Sequence, residues 1–208
     1  MNKLFIIIAS ALLLSGCNRL DVHQPLTSTF IKFDSAREIT QSFVSNRENL
    51  NIISVCLRSP TRNLAPFRFE LWQQDPATLV REISFSGGNI DNSDCTKFQF
   101  QPIPDSHNKL YLFKIISTNN SEDNLARATM YVEAYDDANY LGGSASLDSS
   151  PLQLDLHFKT HFYQSFKVVL GESWSQFVAR LSLDPLFLIP YAGLIVMMTI
   201  ICYQKYRS

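Results

Sequence analysis

The sequence predicts a mainly β protein: an antiparallel β-sandwich of the jelly-roll kind, followed by an interfacial helix and one C-terminal transmembrane helix. Three observations carry that expectation. From about residue 30 to residue 163 apolar and polar side chains alternate with period two. The connections SPTRN, QQDPA, SGGNIDNSD, PDSHN and TNNSEDN between the alternating runs carry turn chemistry. No helical period is interposed between the runs, so parallel α/β architectures do not fit and a sandwich does.

Composition agrees with a single folded domain once both ends are set aside. The chain has 208 residues, 46% hydrophobic and 18% charged, with a net charge of −1. That balance excludes a disordered chain, and it leaves no cationic excess to bind nucleic acid by counterion release. Fifteen Phe and eight Tyr suit a β-rich core.

The N-terminus reads as an export signal over residues 1–17. Met1-Asn2-Lys3 precedes the apolar run LFIIIASALLL, about 16 Å long as a helix. A bilayer core of about 30 Å needs roughly twenty residues, so the run suits a secretory signal and not a span. Leu14-Ser15-Gly16-Cys17 follows and resembles the bacterial lipobox, which makes Cys17 the lipidation site. Asn18 follows, so the aspartate that signals inner-membrane retention is absent. Residues 18–37 read as a linker, although TFIKF has the alternation of an edge strand.

The sandwich is expected over residues 38–165. Strands are predicted at 38–44 (EITQSFV), 51–58 (NIISVCLR), 67–73 (FRFELWQ) and 79–85 (LVREISF). Four more follow at 97–103 (KFQFQPI), 109–116 (KLYLFKII), 127–135 (RATMYVEAY) and 152–163 (LQLDLHFKTHFY). In the third of these eight, Phe67, Phe69 and Leu71 face one way and Arg68, Glu70 and Trp72 the other.

Of the four cysteines, Cys17 is assigned to lipid and Cys202 lies in the apolar C-terminal run. Cys56 and Cys95 remain, either as a disulfide suited to an oxidising compartment or as two reduced thiols.

Beyond the strands, residues 172–184 read as a juxtamembrane amphipathic helix, with Ser173 and Gln176 as a capping box. Trp174, Phe177, Val178 and Leu181 form its apolar stripe. Trp174, Phe177 and Arg180 are the residues expected at the membrane interface. Residues 186–203, LFLIPYAGLIVMMTIICY, carry no charge and would extend about 27 Å. Lys205 and Arg207 follow, which places the C-terminus in the cytoplasm and the preceding chain outside. A spanning helix implies the cytoplasmic, or inner, membrane.

Candidate chemistry is sparse. His157 and His161 have the spacing of a helical metal pair, but on a strand Asp155, His157, Lys159 and His161 share one face at wide intervals. Asp136, Asp137 and Asn139 offer hard oxygen ligands for a structural calcium, without EF-hand spacing. No other cofactor is expected. Glu70, Glu82, Glu133 and Asp155 lie on predicted strands, yet nothing pairs them as glycosidase carboxylates. No nucleophile elbow, phosphate loop or Cys-His signature occurs, so the reading is not an enzyme. Trp72, Tyr111, Tyr131 and Tyr135 are the aromatics that could stack on a sugar. Trp72 is singled out, with Arg68 and Glu70 beside it, as the ligand-binding group.

The segments ITQSF, NLNIISVCL, FQFQPIPDSHNKLYLFKI, GGSA and LDLHFKTHF, spread over roughly residues 38–163, carry a resemblance. They resemble a bacterial extracytoplasmic β-sandwich family, similar to carbohydrate-binding jelly rolls and found fused or adjacent to envelope glycosyltransferases. Where such modules place Gly after Asp-Ser, this chain has His107-Asn108, and Asn supplies the same left-handed turn. Together with export, the two anchors and Trp72, the resemblance points to a non-catalytic envelope lipoprotein whose partners are the membrane and an envelope saccharide. The other expectation is an accessory subunit docking on a polytopic membrane protein without binding sugar.

Overall fold

The computed structural model describes residues 16–24, 28–33, 37–59, 65–118, 130–135 and 142–183, together with 193 and 197. The chain divides into two units, Asn18–Tyr163 and a second made of Met1–Cys17 with Gln164–Ser208. The first unit is built of antiparallel strands and the second contains one described helix.

In chain order the strands are β1 (Gly16–Gln24), β2 (Thr29–Phe33), β3 (Glu38–Val44), β4 (Leu50–Val55), β5 (Leu57–Arg58), β6 (Pro66–Gln74) and β7 (Ala77–Ser86). A short 3-10 turn at Gly87–Asn89 follows. Then come β8 (Thr96–Ile103), β9 (Leu110–Ser117), β10 (Met130–Tyr135), β11 (Ala145–Leu147), β12 (Ser150–Pro151), β13 (Asp155–Leu156) and β14 (Phe158–Ser165). Helix α1 (Phe166–Leu183) closes the described chain.

A six-stranded sheet runs in the order β12-β11-β3-β9-β6-β7, antiparallel at each pairing. Opposite it lie a four-stranded sheet, β1-β14-β4-β8, and a smaller sheet, β13-β10-β2, with β5 also paired to β10. These two meet where β4 gives way to β5 and β13 to β14. There Cys56 donates its N–H to His157 O (3.1 Å), His157 to Glu133 O (2.8 Å) and Glu133 to Cys56 O (3.0 Å). Three backbone hydrogen bonds thus close a ring that holds the smaller sheet to the larger.

Period two decides what the layers bury. In β6 Phe67, Phe69 and Leu71 are buried, as are Ile39 and Phe43 of β3 and Tyr111, Phe113 and Ile115 of β9. They meet the inner faces of β8 and β14: Phe69 stacks on Phe98 at 4.2 Å, and Phe158 lies 5.8 Å from Phe43 and 5.6 Å from Phe113. Each such ring removed from water stabilises the fold by about 1.5–3 kcal/mol. Polar Gln41 sits in the same inward row, and its amide donates to Asp155 Oδ1 (3.2 Å) while its Oε1 accepts from Leu156 N (3.0 Å). A buried amide with both ends engaged avoids the cost of an unmet polar group.

Several boundaries differ from those the sequence predicts. The expected linker 18–37 contains two strands: β2 pairs with β10 from Thr29↔Ala134 to Phe33↔Met130, and Val22 of β1 is buried with its N–H on Thr160 Oγ1 (3.0 Å). β1 is largely polar, which hides its alternation, and β2 is the edge strand that the alternation of TFIKF suggests. The runs at 51–58 and 152–163, each expected as one strand, break at Cys56 and His157, where the chain passes between the two sheets. Asp155 is therefore buried on Gln41 and does not share a solvent face with Lys159 and His161. Asn108 takes the left-handed turn expected of it, at φ 58°.

In the second unit, α1 begins at Phe166 and not at 172. Ser173 is inside the helix, so it does not cap it, and FKVVL continues the helix upstream. Glu172, Gln176 and Arg180 recur at four-residue spacing as a polar stripe. Leu170, Trp174 and Val178 are exposed at the same spacing, and Val168, off that stripe, is exposed too. Among the described residues no helix is long and apolar enough to cross a membrane. The predicted span 186–203, except Gly193 and Met197, lies outside the described residues, as does the signal segment before Gly16.

Tyr111 is the largest fully buried side chain, and its hydroxyl has no hydrogen-bond partner among the described residues. Burial, with a smaller contribution from Asp105, raises its phenol from 10.0 to about 12. A raised folded-state value means that the contribution to stability is intact below the ordinary phenol value and is lost as pH rises through the folded one. Urea unfolding should therefore show the Tyr111 contribution to stability unchanged from neutral pH to about pH 10 and falling between there and about pH 12. Tyr111→Phe should remove that alkaline decline and, by deleting an unmet hydroxyl, raise stability at neutral pH by about 1 kcal/mol.

Candidate functional site

The outward residues of β6 come together as the alternation implies. Arg68 Nε lies 2.8 Å from Glu70 Oε1, and Trp72 Nε1 donates to Glu70 Oε2 at 2.7 Å. Glu70 is thus held from both sides. It is only 6% exposed although it points away from the core, because its neighbours cover it. Arg68 also faces Glu82 across the β6–β7 ladder at 3.9 Å.

The next strand extends the cluster. Lys114 of β9 is the cross-strand partner of Glu70 on one side and Thr40 on the other. Its ammonium stands 5.9 Å from the centre of the Trp72 ring and 3.6 Å from Glu38 Oε2. A cation at that distance is drawn to the ring face by about 0.5–1 kcal/mol at a partly exposed site. Trp72 is half-buried, with its indole fixed by one hydrogen bond and one cation.

Beside Lys114 the sheet surface forms an open groove of about 440 Å³. Thr40, Ser146, Gln74 and Glu38 are among its lining groups, with Leu110 and Leu112 supplying apolar floor. Thr40 and Ser146 hydroxyls lie 2.6 Å apart across β3 and β11. The groove offers hydroxyls, an amide, a carboxylate and an ammonium over a partly apolar base, which is the mixture a polyhydroxylated ligand needs.

One wall depends on a close backbone approach. Ser42 donates its N–H to Ser144 O (3.0 Å), and Ser144 N–H donates to Ser42 Oγ (2.8 Å). Between them a Cβ on Gly143 would lie 1.9 Å from Ser42 O. Only glycine fits there.

Other sequence-derived candidates separate. Tyr111 is core and so is withdrawn as a sugar platform, because its place in β9 is on the inward row. Tyr131 and Tyr135 lie on β10, in the smaller sheet. His157 Nδ1 is 2.9 Å from Glu133 Oε2, whereas His161 stands near Lys159 and Lys97. Burial, then those two lysines, lowers the His161 pKa, and among the described residues His161 belongs to no group of three or more ligand atoms close enough to share an ion. Asp136, Asp137 and Asn139, the proposed calcium ligands, lie outside the described residues. Cys17 is exposed and has a free thiol, and Cys56 is bonded to Cys95. On α1 Trp174 is 66% exposed and its ring lies 5.8 Å from that of Phe177, while Arg180 is exposed in the last turn.

Sequence reasoning missed Lys114, Glu38, Thr40, Gln74 and Ser146. Alternation puts each on the outward face of its own strand. Which strands become neighbours is decided by the crossovers, and no local signal records it. No protein-family model matches the chain, and no curated protein matches it.

Gly143→Ala should force β3 and the 142–144 segment apart and cost about 1–3 kcal/mol, as overpacking does. Thermal unfolding would register the loss. A larger side chain at the neighbouring exposed Ser144 should leave the midpoint nearly unchanged.

Proposed function

We propose that the β unit is a non-catalytic, jelly-roll-like module that binds a saccharide of the cell envelope on the outer face of its six-stranded sheet. The observation that carries this reading is Trp72, held by Glu70 and Lys114 at the margin of a groove lined with hydroxyl, amide and charged groups. A fixed indole loses little conformational entropy when a pyranose ring packs on it. The surrounding donors and acceptors are sheet residues, so their spacing is set before the ligand arrives. The resemblance of the strand motifs to carbohydrate-binding modules supports the same class of ligand.

In this reading the chain works at a membrane. Cys17 is acylated, residues 186–203 cross the cytoplasmic membrane, and the β unit lies on its outer side with the C-terminus in the cytoplasm. Because β1 begins at Gly16, an acylated Cys17 leaves almost no tether between lipid and first strand. The ligand is then a surface glycan or a lipid-linked saccharide within reach of the headgroups. Trp174, Phe177 and Arg180 of α1 rest in the interface. Globomycin should leave the precursor unprocessed, and a reporter fused after Arg207 should be active in the cytoplasm. An unchanged precursor size with and without the drug would remove the lipid anchor from this account.

The exposed Leu170, Trp174 and Val178 on α1 favour a second reading, an accessory subunit that docks this helix on a polytopic membrane protein. Co-purification from mild detergent separates the two, since a stable partner lost on Trp174→Ala supports docking.

The direct test titrates envelope oligosaccharides into the full chain in micelles, with Trp174→Phe so that Trp72 alone reports by fluorescence. Binding should perturb the emission, Trp72→Ala should abolish binding measured by calorimetry, and Lys114→Ala should weaken it about tenfold, or about 1.4 kcal/mol. If no saccharide produces heat or an emission change, the glycan reading fails.

A further inference from the structure

We propose that Cys56, Cys95 and His157 form a binding site for a thiophilic divalent cation of the zinc class, available only when the disulfide is open. The ligand atoms of these three residues lie within 4.8 Å of one another. Tetrahedral zinc takes sulfur at about 2.3 Å and imidazole nitrogen at about 2.0 Å, so its ligands stand roughly 3–4 Å apart. The cluster therefore reaches that size once the two bonded sulfurs separate. In the structure the two sulfurs are bonded to each other, and disulfide and metal site are mutually exclusive states of the same residues.

The positions do not depend on the sulfur–sulfur bond. Cys56 and His157 are joined by the backbone bond from Cys56 N–H to His157 O, and both are tied to Glu133. Cys95 directly precedes Thr96, which pairs with Val55 in the β4–β8 ladder, directly before Cys56. Opening the disulfide leaves these ladders in place, so the thiols stay opposite each other.

The imidazole also has a carboxylate against one of its nitrogens. Glu133 Oε2 lies 2.9 Å from His157 Nδ1, and the other oxygen of that carboxylate pairs with Arg58. A carboxylate accepting from Nδ1–H leaves the lone pair on Nε2 and makes the ring a better donor, the usual support behind a metal-bound histidine. Two thiolates and one dication sum to zero charge, which suits a site where Cys56 is fully buried. Cys95 is half-buried, giving reductant, cation and a fourth ligand from water a way in.

The chemistry balances with a dithiol reductant. The disulfide gains two electrons and two protons to give two thiols, and the dithiol leaves as its own disulfide. Cation binding then releases both thiol protons to water. The site reads the redox state of its compartment and holds metal only under reducing conditions.

The test uses the full chain in micelles with Cys17→Ser and Cys202→Ser, so that no other thiol contributes. A water-soluble phosphine reduces the disulfide without competing for metal, the phosphine becoming its oxide with oxygen from water. Cobalt(II) is then titrated anaerobically. The reduced chain should bind one equivalent with thiolate-to-cobalt charge-transfer absorption that zinc abolishes, and the oxidised chain should show none. Cys95→Ser should remove the band, His157→Gln should weaken binding at least about tenfold, and Glu133→Gln by about 10–100-fold. Circular dichroism follows the fold in each sample. The proposal is overturned if the reduced chain keeps its β signal and gives no band. Unfolding on reduction also overturns it, as does cobalt binding by the His157→Gln chain equal to that of the parent. None of these outcomes touches the saccharide reading, which concerns the opposite layer.

Discussion

The packing of two rows of phenylalanine against each other is the constraint on which the rest of the β unit depends. Phe43, Phe69 and Phe113 from the six-stranded sheet meet Phe98 and Phe158 from the opposite layer, with ring centres as close as 4.2 Å. A strand cannot bury these residues without turning its alternate residues to the other face. Arg68, Glu70 and Trp72 are outward because Phe67, Phe69 and Leu71 are inward, and Lys114 is outward because Phe113 and Ile115 are not. A slip of one residue in β6 would expose three large apolar side chains, at a cost of several kcal/mol. The core therefore sets the register of the candidate face as firmly as it sets its own.

On that face Glu70 organises its neighbours. A carboxylate that is 6% exposed needs charge and hydrogen-bond partners, and it finds them in Arg68 and the Trp72 N–H. The same two interactions immobilise the aromatic ring. The cost of ordering Trp72 is thus met during folding, when burial of the Phe rows drives it, so that under the proposed saccharide reading a ligand would not bear it. That difference separates a prepared face from a scatter of surface side chains. It also weighs against catalysis at Glu70, whose two oxygens are already engaged by a guanidinium and an indole.

The pattern of legibility follows the same physics. Period two was readable wherever a strand has one buried face, which is why β3, β6, β7, β8 and β9 fall within one or two residues of expectation. It was unreadable in β1, whose pairing with β14 is a long-range event, while in TFIKF of β2 the alternation suggested an edge strand without revealing its partner β10. The breaks at Cys56 and His157 leave no local mark, because LNIISVCLR and DLHFKTHF keep their alternation through the point where the chain changes sheets. The cysteine pairing was legible from the even count left once Cys17 and Cys202 are set aside, and it is formed. The Arg68–Glu70–Trp72 grouping was legible because it lies on one strand. Lys114, Glu38 and Ser146 were not, since crossovers between the layers bring β9, β3 and β11 beside one another. Helix α1 was legible in kind and not in its start, because Phe166 to Leu170 suit a strand end and a helix equally.

The disulfide is placed at the point where the chain passes from one sheet to the other. Val55, just before Cys56, pairs with Thr96 and Phe158, and Leu57, just after it, pairs with Val132 in the smaller sheet. Closing a loop with a sequence separation of 39 there adds about 4 kcal/mol in the chain-entropy model. The ring of hydrogen bonds through His157 and Glu133 serves the same junction by another route. The staple adds to a junction that the ladder pair Val55↔Thr96 and the hydrogen-bond ring already hold, so its removal leaves the two cysteines opposite each other. Side chains gathered to support the junction, a histidine with its carboxylate and that carboxylate's arginine, are also those that determine what the two sulfurs can do once separated. Fold economy and thiol chemistry therefore converge at one break in the sheet, on the layer opposite the Trp72 face. The two can be altered independently.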